Sequence, residues 1–402
     1  MKIGIDLKEL QTASAYRGIG EVTKQVTNKL LPLLAKDKNV DEVTLFMYRD
    51  KENEVFQIIN VSADLKYNIK YYDPSTLVTG RLDKLKNAFF SKKDPLIEEM
   101  DVYLSFSVLG YVPKANNVYL VWYDLIPLVF EDRFTFADNK IILKKILKQR
   151  LVRGLIKKIK KQLIYKDLKK SKKIISISNF SKNEILRIYP DLNVDIDVAS
   201  LGVDEKPAKT LNTADKDLPN KPYLLFIGSP SPRRQLEQLV TQFNDLKQKG
   251  YDFQLVLAGK PFEKIQELKF LDLKNVILES PYRNDIITIG YISDEYKAEL
   301  YAHSLAFVYP TLYEGFGLPV LESMLNKTLI LTYNNSSLPE VGGKYAFYAD
   351  DSSQIADKVI EMYNLSDEER QQIIEESYEY AKQFTWAKTA QRYYDIIMED
   401  FN

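Results

Sequence analysis

Two carboxylates eight positions apart, Glu314 and Glu322, bracket a Gly315-Phe316-Gly317 turn and the run Leu318-Pro319-Val320-Leu321. The segment in front, Leu305-Ala306-Phe307-Val308-Tyr309-Pro310, has the apolar continuity of a buried strand and stops at a proline. A strand, a glycine turn and a helix start make a cradle for an anion. Glycines let the backbone approach a ligand, and the first-turn N–H groups of the helix have no partner within it. Pro319 suits that first turn because its missing N–H is not needed there. Glu314 then stands on the loop and Glu322 about one turn into the helix. Carboxylates in those places accept hydrogen bonds from sugar and ribose hydroxyls while the backbone holds phosphate. The plainer alternative, acidic residues that complement a helix dipole, accounts for one Glu but not for the combination.

Residue counts exclude many other chemistries. The 402 residues include one histidine, His303, and no cysteine. A Ser-His-Asp triad is conceivable only around that histidine, a Cys-His pair is impossible, and zinc sites built from several His or Cys are ruled out. His303 follows Ala298-Glu299-Leu300-Tyr301-Ala302, a helical pattern in which it is expected to be partly buried and structural. Chemistry must therefore rest on carboxylates, basic side chains, backbone dipoles or a cofactor. Paired carboxylates also serve glycoside hydrolysis, but that needs both acids across one sugar, whereas Glu314 and Glu322 are spaced to read different parts of one longer ligand.

The elements that must position these residues are legible from the pattern. Strand-like runs lie at Lys2–Leu7, Val43–Met47, Asn68–Tyr72, Val102–Phe106, Val118–Trp122 and Ile174–Ser178. A second series lies at Tyr223–Gly228, Phe253–Gly259, Val276–Glu279, Ile286–Gly290, Leu305–Tyr309 and Leu329–Thr332. Near-continuous apolar strands alternating with helical segments predict parallel sheets covered on both faces, and two series predict two doubly wound domains. The turn-rich segment from Leu211 to Pro222 is the expected linker. Ser366-Asp367-Glu368-Glu369 reads as a capping box, and a last amphipathic helix is expected from Trp386 to Met398.

Ligands of such sheets bind beyond the carboxyl ends of the strands. After Tyr223–Gly228 come Arg233 and Arg234, adjacent guanidiniums suited to phosphate oxygens. After the first strand comes Arg17-Gly18-Ile19-Gly20, too far from Leu7 and lacking the third glycine of a dinucleotide turn.

Together these segments resemble the retaining glycosyltransferases of family four. Glu314 to Glu322 looks like that family's Glu-x7-Glu signature. Gly290-Tyr291-Ile292-Ser293-Asp294-Glu295, Ser336 to Gly342, Val256-Leu257-Ala258-Gly259 and Ile177 to Lys182 support the match. The resemblance implies a GT-B architecture, in which two Rossmann-like domains face across a cleft and a C-terminal helix crosses back to the N-terminal domain. The implied boundaries are 1–205 for an acceptor-binding domain, 206–385 for a nucleotide-sugar-binding domain and 386–402 for the returning helix. It further implies that Glu314 holds the donor sugar and acts catalytically with Arg234, and that Glu322 takes the ribose. Phe316, Gly317 and Leu318 would contact sugar and diphosphate through their backbone. Gly18, Gly20, Tyr123, Asp124, Arg233 and Tyr291 would complete the donor site. Relatives often carry an arginine where this chain has Ser229, and a histidine where it has Tyr123. A phenol differs from imidazole in reach and charge, which raises a donor lacking a 6-hydroxyl as one hypothesis. No metal or cofactor is implied beyond the nucleoside-diphosphate sugar itself.

Charge is balanced overall, but residues 140–173 hold 15 Lys/Arg against one acid, Asp167. Leu143, Ile146, Leu147, Leu151, Leu155, Ile159 and Leu163 recur at three- and four-residue steps opposite a basic face that includes Lys144, Lys145, Lys148, Arg150, Lys157, Lys158, Lys160 and Lys161. Such a helix can lie on an anionic bilayer or simply pack a core under a solvated lysine face. Lys84–Lys93, with Phe89 and Phe90, is a second candidate. No apolar run approaches the roughly 20 residues of a membrane span, and Met1-Lys2-Ile3-Gly4-Ile5-Asp6 lacks the shape of a secretory signal. No nucleic-acid module accompanies the charge. The resulting expectation is a cytoplasmic, peripherally membrane-bound transferase acting on a lipid-linked saccharide in bacterial surface polysaccharide or glycolipid assembly. The alternative is a non-catalytic partner of the same fold that stabilises another transferase.

Overall fold

Thirteen strands form because their sequences are apolar on both faces and each is flanked by helices that cover them. The computed structural model describes residues 1–16, 18–72, 95–106, 112–113, 115–130, 150–204 and 218–401. They divide into two compact units, Met1–Gly202 with Thr385–Asn402, and Val203–Phe384.

In the first unit, β1 (Lys2–Asp6), β2 (Glu42–Met47), β3 (Tyr67–Tyr71), β4 (Val102–Ser105), β5 (Val118–Trp122), β6 (Lys173–Ser176) and β7 (Asp195–Val198) form a parallel sheet in the order β3-β2-β1-β4-β5-β6-β7. Every residue of β4 and β5 is buried, as expected of an all-parallel sheet. The helix Trp386–Met398 belongs to this unit and packs against the first helix, Gly18–Lys36. Tyr394 donates to Asp37 at 2.5 Å, and Thr389 Oγ1 to the Ser200 carbonyl at 2.8 Å.

In the second unit, β8 (Tyr223–Ile227), β9 (Gln254–Ala258), β10 (Ile286–Ile289), β11 (Ala306–Tyr309), β12 (Ile330–Tyr333) and β13 (Phe347–Ala349) form a parallel sheet in the order β10-β9-β8-β11-β12-β13. Its amino edge is closed by ion pairs: Lys221 and Lys247 each reach both Asp252 and Asp285, at 2.7 to 3.1 Å. The expected capping box at Ser366 is present.

Several expectations need correction. Val276–Glu279 is no strand; Val276 to Leu278 end the helix Leu271–Leu278, which buries Leu273 and Ile277 one turn apart. A four-residue apolar run fits either element until its partners are known. The edge strands β7 and β13 were not anticipated. Polar Asp195 and Asp197 break the apolar run in β7, and β13 is only three residues long. His303 caps a helix with its side chain 55% exposed, so it is not partly buried. The helix after β1 opens at Gly18 itself. Residues 205–217 of the expected linker lie outside the described residues, as do Lys84–Lys93, Lys144, Lys145, Lys148 and the side chain of Arg150. The described part of the basic segment is a helix, Arg150–Lys170. Its C-terminal half anchors in the core through Ile164 and Leu168, whereas Leu155 and Ile159 stand 59% and 40% exposed. No described helix is long and apolar enough to cross a membrane.

Candidate functional site

The site helix, Leu318–Leu325, starts where β11 has ended and the chain has turned through Thr311–Gly317. Gly317 is its N-cap at φ +107°, a left-handed conformation that glycine adopts without strain. Pro319 lies in the first turn, as its chemistry favours. Ser337 fastens the turn from below. Its hydroxyl lies 2.7 Å from the Phe316 carbonyl and 2.9 Å from that of Glu314, while Ser336 Oγ accepts the Glu314 N–H at 3.1 Å. Phe316 is buried with its ring edge-on to Phe384, so only its backbone is placed for a ligand.

Glu314 is nearly buried and its two oxygens differ. Oε1 receives the Arg233 guanidinium, the Tyr309 hydroxyl at 2.6 Å, and Thr311 Oγ1 at 3.3 Å. Burial pushes the Tyr309 phenol well up, so it remains a donor to the carboxylate at any ordinary pH. These partners leave Oε2 as the oxygen with acceptor capacity to offer a ligand hydroxyl. Glu322, one turn into the site helix, is less buried and holds Lys297 Nζ at 3.1 Å through Oε2.

The two arginines have separate jobs, which corrects the reading of Arg233 as a donor-site residue. Besides Glu314, Arg233 donates to Thr311 Oγ1 at 3.0 Å and to the Tyr313 carbonyl at 2.8 Å. It therefore braces the loop that carries Glu314. Arg234 donates Nη1 to the Ser229 carbonyl at 2.7 Å and lies 5.5 Å over the Tyr309 ring. Its buried Nε makes no hydrogen bond and stands 3.8 Å from Glu314 Oε1. A guanidinium held flat on an aromatic floor with donor capacity in reserve suits a phosphate. Gly228, at φ +146°, makes room for it: a Cβ there would fall 2.5 Å from Arg234 Nη1.

The structure thus brings Arg233, Arg234, Glu314, Phe316, Gly317, Leu318 and Glu322 together at the carboxyl end of the second sheet, with Tyr291 73% exposed after β10. Gly18, Gly20, Tyr123 and Asp124 lie in the first unit. Gly20 has a packing reason of its own, since a Cβ would fall 2.5 Å from the Ser14 carbonyl oxygen. Asp124 accepts the Ile126 N–H at 2.9 Å and so caps a short turn. The Tyr123 hydroxyl is buried without a hydrogen-bond partner of ordinary geometry, and burial pushes its pKa well up. Tyr309, Thr311 and Lys297 were missed by sequence reasoning, because a Tyr inside a strand or a Lys on another helix carries no local signal. Ser336 and Ser337 lay in a segment that was noticed, without their roles.

The strand order, the crossover helices and the ligand face define a pair of Rossmann-like units, and whole-chain comparison places them in the GT-B class. Sucrose-phosphate synthase from Thermosynechococcus elongatus superposes with a TM-score of 0.67 at 15% identity, covering 100% of this chain and 99% of that one. Anabaena HepE, solved in complex with UDP-glucose, gives 0.63 at 13% identity, covering 100% and 99%. Within that class, residues 209–380 match the family described as glycosyl transferases group 1. The second unit is therefore a glycosyl transferases group 1 domain. The chain is 31% identical over 233 residues to O-antigen chain mannosyltransferase B of Escherichia coli, covering 56% of this chain and 59% of that protein. It is 26% identical over 215 residues to alpha-maltose-1-phosphate synthase of Mycobacterium tuberculosis, covering 48% and 52%. The chain thus spans between half and three-fifths of those two curated relatives.

Proposed function

We propose that the chain is a retaining glycosyltransferase that moves a hexosyl or deoxyhexosyl group from a nucleoside-diphosphate sugar to a lipid-linked saccharide, in bacterial surface polysaccharide or glycolipid assembly. The observation that carries this reading is the division of labour around Glu314. One carboxylate oxygen is fixed by Arg233, Tyr309 and Thr311, while the other is left for a sugar hydroxyl, beside Arg234 and a helix start. The match of residues 209–380 to a glycosyltransferase family supports it.

In this reading the bond between the sugar's anomeric carbon and the diphosphate oxygen breaks, and a bond to the acceptor oxygen forms on the same face. The acceptor's proton passes to the departing phosphate oxygen, so no side-chain base is required and no metal enters. Negative charge grows on the diphosphate as it leaves. Arg234 and the first-turn N–H groups of the site helix are already oriented to stabilise that charge. Glu314 orients the sugar and Glu322 the ribose.

Peripheral attachment to the cytoplasmic face of an anionic membrane is part of the proposal. Leu155 and Ile159 are exposed on the same helix as Lys157, Lys158, Lys160 and Lys161, which is the composition of an interfacial surface. Flotation should show the chain riding with anionic vesicles and not with neutral ones.

The decisive experiment is a turnover assay with a panel of nucleotide sugars and a lipid-linked saccharide acceptor, comparing the wild type with Glu314→Gln. Transfer that disappears in the variant supports the enzyme. A wild type that binds a donor yet never turns it over favours the non-catalytic partner.

A further inference from the structure

The carboxyl ends of β8, β9 and β10 each finish in glycine, and each glycine is required by a neighbour. At Gly228 that neighbour is the Arg234 guanidinium. At Gly259, φ +141°, a Cβ would fall 2.5 Å from the Gly228 carbonyl oxygen. At Gly290 it would fall 2.8 Å from Glu263 Cβ and 2.9 Å from Glu263 Cγ. The three ends are stitched side by side: Gly228 N–H bonds the Ala258 carbonyl, and Gly259 N–H bonds the Ile289 carbonyl, both at 2.9 Å. They make a shelf of bare backbone that crosses two strand spacings, about 10 Å. Arg234 stands at one end and Glu263 at the other.

The far end has chemistry of its own. Glu263 closes the turn that begins at Lys260 and is anchored by the fully buried Phe262. Its stem lies against Gly290, yet its carboxylate has no hydrogen bond or ion pair among the described residues. Tyr291, the next residue after Gly290, presents an exposed ring. Lys297, six residues further on, is bonded to Glu322, which links this end of the shelf to the carboxylate assigned to ribose.

We propose that the shelf carries the nucleoside of the donor and that Glu263 selects guanine. The assignment rests on the donor-site reading given above. A shelf without side chains admits a flat ring close to the backbone, and Tyr291 supplies a stacking face. Guanine offers two adjacent donors, its ring N–H and its exocyclic amine, to the two oxygens of a carboxylate. Uracil offers a single N–H between two carbonyl oxygens that a carboxylate repels. Adenine turns an unprotonated ring nitrogen toward it. A site whose polar group matches one base and is left unpaired by the others discriminates strongly.

The test is calorimetric titration of the intact chain with GDP, UDP, ADP and inorganic pyrophosphate, repeated on Glu263→Gln, which keeps the side chain's length against Gly290. GDP should bind at least about tenfold more tightly than UDP or ADP, the margin of one charged hydrogen bond. Glu263→Gln should remove most of that margin. If UDP or ADP binds the wild type as tightly as GDP, or if the GDP margin survives in the variant, the guanine assignment is overturned while the donor site stands. If pyrophosphate binds as well as every nucleotide, the shelf carries no nucleoside and the assignment is overturned. If no nucleotide binds, the donor site and the guanine assignment fall together.

Discussion

Both sheets place their first strand at the centre of the same order, β3-β2-β1-β4-β5-β6 in one and β10-β9-β8-β11-β12-β13 in the other. What leaves that central strand differs. After β1 the chain buries Asp6, Lys8, Glu9 and Gln11 and satisfies them internally. Lys8 Nζ lies 2.9 Å from Asp6, and Gln11 exchanges two 2.7 Å bonds with the backbone of Tyr48. After β8 the chain buries no charge until the paired arginines, where Arg233 braces a loop and Arg234 keeps a donor unspent. Buried charge that closes on itself is scaffold. Charge held by a scaffold with capacity left over is a binding site.

The largest expected effect tests that distinction directly. Asp6→Ala strands the Lys8 ammonium in the first unit, and Glu314→Ala strands the Arg233 guanidinium in the second. Each leaves an uncompensated buried cation and should cost about 3 to 5 kcal/mol in urea unfolding. Only Glu314→Ala should also abolish sugar transfer. Equal loss of transfer in folded Asp6→Ala would erase the contrast between the two rims. Arg234→Ala comes next: diphosphate affinity should fall about tenfold to a hundredfold with little loss of stability. Arg234→Lys should not restore it, because an ammonium lacks the planar face that lies on Tyr309. Full rescue by lysine would reduce Arg234 to a point charge.

How far the sequence foretold this contrast depends on how local each signal is. The Glu314–Glu322 segment was readable because strand, turn, cap and helix start follow one another within a few residues, so spacing alone sets the geometry. The scaffold role of Arg233 was not readable. It depends on the pairing of β8 with β11, which brings residues 78 to 81 positions apart into contact. The same holds for Tyr309 and Lys297. In the first unit, Asp6, Lys8 and Glu9 look like a polar loop in sequence, since nothing local reveals that the loop is folded inward. Val276–Glu279 failed for a related reason: whether four apolar residues are strand or helix is decided by what covers them.

A smaller effect is expected at the shelf. Gly259→Ala forces a side chain into a left-handed backbone and against the Gly228 carbonyl. It should cost about 1 to 3 kcal/mol and weaken nucleotide binding more than pyrophosphate binding. Equal weakening of both ligands would mean that the shelf serves only Arg234.

The smallest expected effect separates the two units by acid titration. In the second unit the ammonium groups of Lys221 and Lys247 hold Asp252 down to about 2. Its contribution to stability is therefore present above the ordinary carboxylate range and is lost as pH falls through about 2. In the first unit, burial pushes Glu9 up. Its sign is opposite: the charged form carries a penalty in the folded state, present in full above the raised pKa and relieved as pH falls through it. Glu9→Gln never ionises and escapes the penalty. Urea midpoints measured from about pH 4 to pH 7 should thus shift progressively in the variant's favour relative to wild type. A constant difference across that range would mean that Glu9 pays no burial penalty, and that the rim after β1 is as open to solvent as the one after β8.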